Sequence, residues 1–126
     1  MTLLSLLFLS GCEEYPVYSN FIEKQNQPKP TCIKIASFDP KLTTTLNQEF
    51  SSIIEINCTY SIVGYIHHVD SCSNPQVKSL GADFNGYVRL KLLEGNQTLY
   101  RIQSDFKDNE LSALKRVIET MKKELF

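Results

Sequence analysis

The stretch from Ile54 to Ile66 constrains the fold more than any other part of the chain. Ile54, Ile56, Cys58, Tyr60, Ile62 and Ile66 alternate there with Glu55, Asn57, Thr59, Ser61 and Tyr65. Successive side chains of an extended backbone point to opposite sides, so this period of two makes a strand with one apolar and one polar face. Such a strand needs a sheet around it and a second layer against its apolar side. An all-helical fold is thereby excluded. Gly64 interrupts the apolar face and predicts a bulge or a sharp bend.

Two helical stripes supply the second layer. Asp39-Pro40 offers an N-cap followed by a proline at the first helical position. Leu42, Leu46, Phe50 and Ile53 then fall on one helical face. Near the C-terminus Leu111, Leu114, Val117, Ile118, Met121 and Leu125 form a stripe, with Lys115, Arg116, Glu119, Lys122 and Lys123 outside it. Asp108 and Glu110 suit the positive end of that helix, and the late lysines suit its negative end. Three more strands are expected: CIKIASF (32–38), FNGYVRLKLL (84–93) and QTLYRIQS (97–104), the last two joined through Glu94-Gly95-Asn96 as a hairpin. DSCSNPQVKSLGAD (70–83) reads as a polar loop. The order is βαβββα and the class α+β, with two helices packed on one face of a four-stranded, mixed but mostly antiparallel sheet. The βαβ unit is expected to cross right-handed. A chain of 126 residues holds one modest core, assigned to a single domain over 32–126.

The start of the chain has a different character. Residues 1–11, MTLLSLLFLSG, are apolar and uncharged. A run this short that ends on small residues reads as a secretory signal peptide. Leu9-Ser10-Gly11-Cys12 resembles the lipobox of bacterial lipoproteins, in which the cysteine is acylated and the signal is cut just before it. The resemblance implies a lipid anchor at Cys12. Two or three acyl chains hold durably, since each buried CH₂ contributes about 0.8 kcal/mol. No Lys or Arg precedes the apolar run, so a start upstream of Met1 is expected. Glu13 follows the cysteine where lipoproteins of this type retained at the inner membrane carry Asp. The expected address is therefore the periplasmic side of the outer membrane, with the inner membrane as the alternative. Residues 12–31 hold three prolines, several amides and both charge signs, and read as a lipidated cysteine followed by a flexible tether. Tyr15, Val17, Tyr18, Phe21 and Ile22 make it more apolar than a spacer needs. The expected element order is similar to that of small α/β envelope-assembly lipoproteins, a likeness of layout that carries no function by itself.

The formal charge of −1 gives no basic footprint for nucleic acid and no polybasic route to anionic lipid. His67, His68, Asp70 and Cys72 are the densest group of metal-ligand types. Neighbouring strand residues point apart, however, and no second Cys/His pair has zinc spacing. The cluster therefore reads as a polar strand end; no metal and no cofactor are expected. No set of residues meets the geometry of a nucleophile with its base, so no enzyme is expected. With Cys12 acylated, Cys32, Cys58 and Cys72 remain for one disulfide in an oxidising compartment. All three pairings are open; parallel neighbouring strands favour Cys32–Cys58, although alternation faces the two residues differently. Asn57-Cys58-Thr59 and Asn96-Gln97-Thr98 match the Asn-x-Thr pattern of N-glycosylation acceptors in secreted proteins. If the chain is glycosylated, Asn96, as a turn residue, is expected to be used before Asn57 inside a strand; the alternative is that Asn96 only supplies the positive φ that such turns demand. The expected partners are the membrane, through the anchor, and another envelope protein. The expected function is a non-enzymatic anchored lipoprotein acting as an assembly or accessory factor. The alternative is a lipoprotein that holds a lipid or glycan.

Overall fold

The computed structural model of the chain describes residues 15–22, 27–68 and 85–126. Its elements are β1 (Val17–Phe21), β2 (Lys34–Ser37), α1 (Pro40–Glu49), β3 (Tyr60–His68), β4 (Gly86–Glu94), β5 (Gln97–Phe106) and α2 (Glu110–Leu125). The five strands form one sheet in the order β1-β5-β4-β3-β2. β2 runs parallel to β3, with α1 between them in sequence, and every other pairing is antiparallel. The class is α+β, as the alternation and the two stripes require. The sheet has five strands rather than four. The extra one, β1, falls within the stretch expected to be tether. Val17–Phe21 lies along β5, with Val17 opposite Ser104 and Phe21 opposite Tyr100. Pro28 and Pro30, further along that stretch, are buried.

Both helices begin on side-chain caps. Asp39 accepts from Lys41 N at 2.9 Å and Leu42 N at 3.2 Å, and Asn109 accepts from Ser112 N at 3.0 Å. Each cap satisfies backbone donors that the first helical turn leaves unpaired. Leu42 and Leu46 of α1, and Leu114, Val117, Ile118 and Met121 of α2, are buried against one face of the sheet. That face carries Ile62 of β3, Val88, Leu90 and Leu92 of β4, and Tyr100, Ile102 and Phe106 of β5, all buried. Gly64 shows no bulge; it pairs in register with Leu90. Its missing side chain makes room instead: a Cβ there would lie 2.6 Å from Leu90 Cδ2 and 2.9 Å from Leu42 Cδ2. The irregularity of the sheet falls between Leu92 and Leu93, where Leu99 is the extra residue on β5.

The best-patterned strand starts later than its alternation implies. Ile54 makes an isolated parallel bridge with Ile33, and the Cys58 amide donates to Glu55 O at 3.3 Å, so the chain turns before β3 begins at Tyr60. Ile56 is consequently 86 % exposed.

β1 is held by groups far away in sequence. Ser19 Oγ donates to Glu124 Oε2 at 3.1 Å, and Tyr100 Oη donates to Glu124 Oε1 at 2.5 Å. Phe21 meets the Tyr100 ring edge-on at 4.9 Å. Ser104 Oγ donates to Pro16 O at 3.1 Å and accepts from Arg116 Nε at 3.2 Å. Burial, and then the hydrogen bond to the Glu124 carboxylate, push the Tyr100 phenol far above its ordinary value. The unfolded chain loses this proton near pH 10, while the folded chain keeps it. The contribution is therefore whole below pH 10 and declines above it, by up to about 1.4 kcal/mol per pH unit. Urea unfolding between pH 8 and 11.5 is expected to show a steeper alkaline loss for the wild type than for Tyr100→Phe. Parallel slopes would remove Tyr100 as the cause.

Candidate functional site

The two helices lie side by side in the same direction. Lys41 Nζ is 3.0 Å from Glu110 Oε1 near their N-terminal ends, and Lys122 Nζ is 2.9 Å from Glu49 Oε1 near their C-terminal ends. Pairs this exposed contribute little stability, but they mark how the helices face each other. Between the N-terminal halves a groove of about 630 Å³ opens to solvent. Ile66 and Leu114 form its apolar floor, Thr44 and Lys41 one wall, and Glu110 and Leu111 the other. Leu111 leads the α2 stripe, yet it remains 49 % exposed at the lip.

Glu110 bridges the mouth of the groove. One carboxylate oxygen takes Lys41, and the other lies 3.3 Å from His68 Nε2 at the end of β3. The hydrogen bond to Glu110, followed by its charge, raises the Lys41 ammonium above its usual value. His68 packs edge-on against Phe106 at 5.6 Å, while His67 stacks on Tyr87 at 4.9 Å. The two imidazoles thus lie on opposite faces of the sheet, as strand alternation demands. Asp70 and Cys72, the other members of that cluster, lie outside the described residues. Among the described residues no group of three His, Cys, Asp or Glu side chains could hold a metal ion. No described helix is long and apolar enough to cross a membrane.

The other face of the sheet has no described element packed over it. Register places Tyr65, Arg89, Gln103 and Tyr18 in one row across β3, β4, β5 and β1, and His67, Tyr87 and Asp105 in the next. The Arg89 guanidinium lies 4.8 Å from the Tyr87 ring centre and 5.5 Å from that of Tyr65. It donates Nε and Nη2 to Gln103 Oε1 at 2.8 and 2.5 Å, and Nη1 to Tyr65 Oη at 2.5 Å. Partial burial raises the Tyr87 phenol above its usual value, against the opposing pull of the Arg89 charge. A hollow of about 270 Å³ lies beside this network, lined by Tyr18, Asn20, Arg89, Arg101 and Gln103.

Cys32 and Cys58 form a disulfide, with Cα atoms 5.9 Å apart. The facing difficulty disappears because neither cysteine lies in a paired strand: one precedes β2 and the other precedes β3. Asn96 is exposed in the two-residue turn between β4 and β5. The positive φ of that turn, 62°, belongs to Gly95 and not to Asn96, as a turn with glycine at its first central position requires. Asn57 is also exposed and in a turn, not inside a strand, so the structural reason for preferring Asn96 over Asn57 is gone. Cys12 and Glu13 lie outside the described residues.

No motif marked the groove or the Tyr/Arg face. Both join residues from separate elements, and their members are individually ordinary surface types. No protein-family model matches the chain, and no curated protein does.

Proposed function

We propose that this chain is an acylated envelope lipoprotein that acts by contact, as an assembly or accessory factor, and that the groove between α1 and α2 receives part of a partner protein. The groove carries the reading. It joins an apolar floor, an exposed leucine at the lip, and hydroxyl, ammonium and carboxylate groups on the walls. This is the layout of a surface that takes apolar anchors from an amphipathic segment and fixes their register with polar groups at the rim. The anchor at Cys12 rests on the resemblance of residues 9–12 to a lipobox.

A second reading has its own support. The groove's volume falls in the range of small-molecule pockets, which suits a lipid or glycan ligand. A ligand of that kind is ordinarily enclosed over most of its surface, whereas this groove opens along the helices. The contact reading is therefore preferred.

Two measurements in cells expressing the full gene test the proposal. Membrane fractionation is expected to place the wild type with membranes and to find Cys12→Ser released or misplaced; an unacylated, soluble wild type overturns the anchor. A photo-crosslinking residue in place of Thr44 is expected to capture one discrete protein. Capture of lipid or glycan alone would transfer the groove to the second reading.

A further inference from the structure

The charge of −1 for the whole chain conceals a separation of charge between the two sides of the sheet. On the side away from the helices, register places Lys34 on β2, Arg89 and Lys91 on β4, and Arg101 on β5, with Asp105 as the single acid of the paired strands there. Lys91 and Arg101 lie directly opposite each other across β4 and β5, and neither has an ion-pair partner among the described residues. Like charges in that position destabilise a sheet unless an anion lies over them. The aromatic residues of this face are tyrosines and a histidine, and Tyr18 at its edge is 59 % exposed. Rings with an apolar body and a polar tip suit the boundary between water and lipid.

Arg89 adds a prepared donor. Of its five N–H groups, one on Nε, one on Nη1 and one on Nη2 are committed to Gln103 and Tyr65. One N–H on each terminal nitrogen remains, on a guanidinium held in place beside the hollow that Arg101 also lines. A planar pair of donors with a second cation nearby matches the oxygens of a phosphate.

We infer that this sheet face docks on an anionic lipid surface, with a headgroup phosphate in the hollow between Arg89 and Arg101. The inference rests on the anchored reading above, and chain length joins the two. Five peptide links separate Cys12 from Val17 and span at most about 18 Å. β1 thus keeps the domain close to an acylated Cys12 instead of at the end of a long tether. The chain enters the sheet at Val17, opposite Ser104 and beside the row of His67, Tyr87 and Asp105. The helices and their groove would then face away from the lipid, toward a partner.

Vesicle sedimentation tests this with full-length Cys12→Ser, so that acylation plays no part. The vesicles are phosphatidylcholine alone or phosphatidylcholine with 30 mol % phosphatidylglycerol. Binding is expected to favour the anionic vesicles and to fall steeply between 50 mM and 500 mM salt. Lys91→Gln, at a half-buried position, and Arg101→Gln, at an exposed one, are each expected to weaken it about fivefold and the pair about 25-fold. Lys123→Gln, on the helix side, should leave it unchanged. Arg89→Lys keeps the charge but removes the paired donors, and should also weaken binding. Equal binding to both vesicle types would overturn the inference, as would wild-type behaviour of the Lys91→Gln/Arg101→Gln pair or an equal loss with Lys123→Gln. Binding to soluble polyglutamate with none to vesicles would also overturn it and point to an acidic protein. A soluble wild type in cells would remove the anchor and leave the vesicle result standing by itself.

Discussion

Replacing Cys32 and Cys58 together by alanine is expected to lower the stability of the domain by about 3.5 kcal/mol. The bond spans 26 residues of sequence, and closing a loop of that length in the unfolded chain removes entropy worth about that much. The native side of the comparison points the same way. β2 is a four-residue strand at the edge of the sheet, paired only with β3. Besides that ladder it is held by the Ile33–Ile54 bridge and by the disulfide just before it. Ile33 is fully buried, so fraying of β2 would wet the core beneath α1. For a domain of this size the loss corresponds to a fall in melting temperature of about 15–25 °C. Thermal and urea unfolding of the double variant, compared with wild type in excess reductant, checks both numbers. The two should coincide. A loss below about 1 kcal/mol would mean that the unfolded chain is already compact across this loop.

Gly86→Ala is expected to cost about 3 kcal/mol, at the upper end for overpacking. A Cβ at Gly86 would lie 2.2 Å from the backbone oxygen of His67 and 2.6 Å from Phe106 Cζ. The first of these atoms belongs to the β3 backbone directly across the ladder, so it can retreat only by opening the pairing of β3 with β4. Gly64→Ala provides the contrast. Its two closest atoms are the ends of Leu90 and Leu42 side chains, which can rotate, and a cost of about 1 kcal/mol is expected. Urea unfolding of the two variants should rank them in that order. Equal losses would show that the β3–β4 ladder yields more easily than this geometry implies.

The elements that were legible in the sequence are those whose signal is local. α2 has six stripe residues at helical spacing, and α1 has its Asp39-Pro40 start; a period of 3.6 and a cap need no knowledge of the rest of the chain. The β4–β5 hairpin was equally plain, since alternation and a glycine turn lie within a few residues of each other. The favoured cysteine pairing followed from the parallel βαβ arrangement, itself read from element order. The polar strand end at His67 and His68 needed only alternation.

β1 was not legible, although its apolar residues stood out. Its inward positions are Val17, Ser19 and Phe21, and the polar one in the middle hides the period. Ser19 is satisfied by Glu124, 105 residues away, so nothing nearby in sequence reveals that a serine could face the helices. Gly64 looked like a bend because a missing side chain carries no address; only the packing of Leu42 over Leu90 shows that the space was needed. The alternation at 54–58 continued past the true strand start because a period of two cannot register the turn that Cys58 and Glu55 close. The groove and the cationic face lay furthest from sequence reasoning. The groove forms where α1 and α2, distant in the chain, leave a gap over Ile66 and Leu114. The face arises because strand pairing collects Lys34, Arg89, Lys91 and Arg101 on one side of the sheet. Periodicity records which way a residue points relative to its neighbours, and composition records the sum of charges. Which residues from distant strands share a surface depends on sheet order and register, and tertiary packing set both.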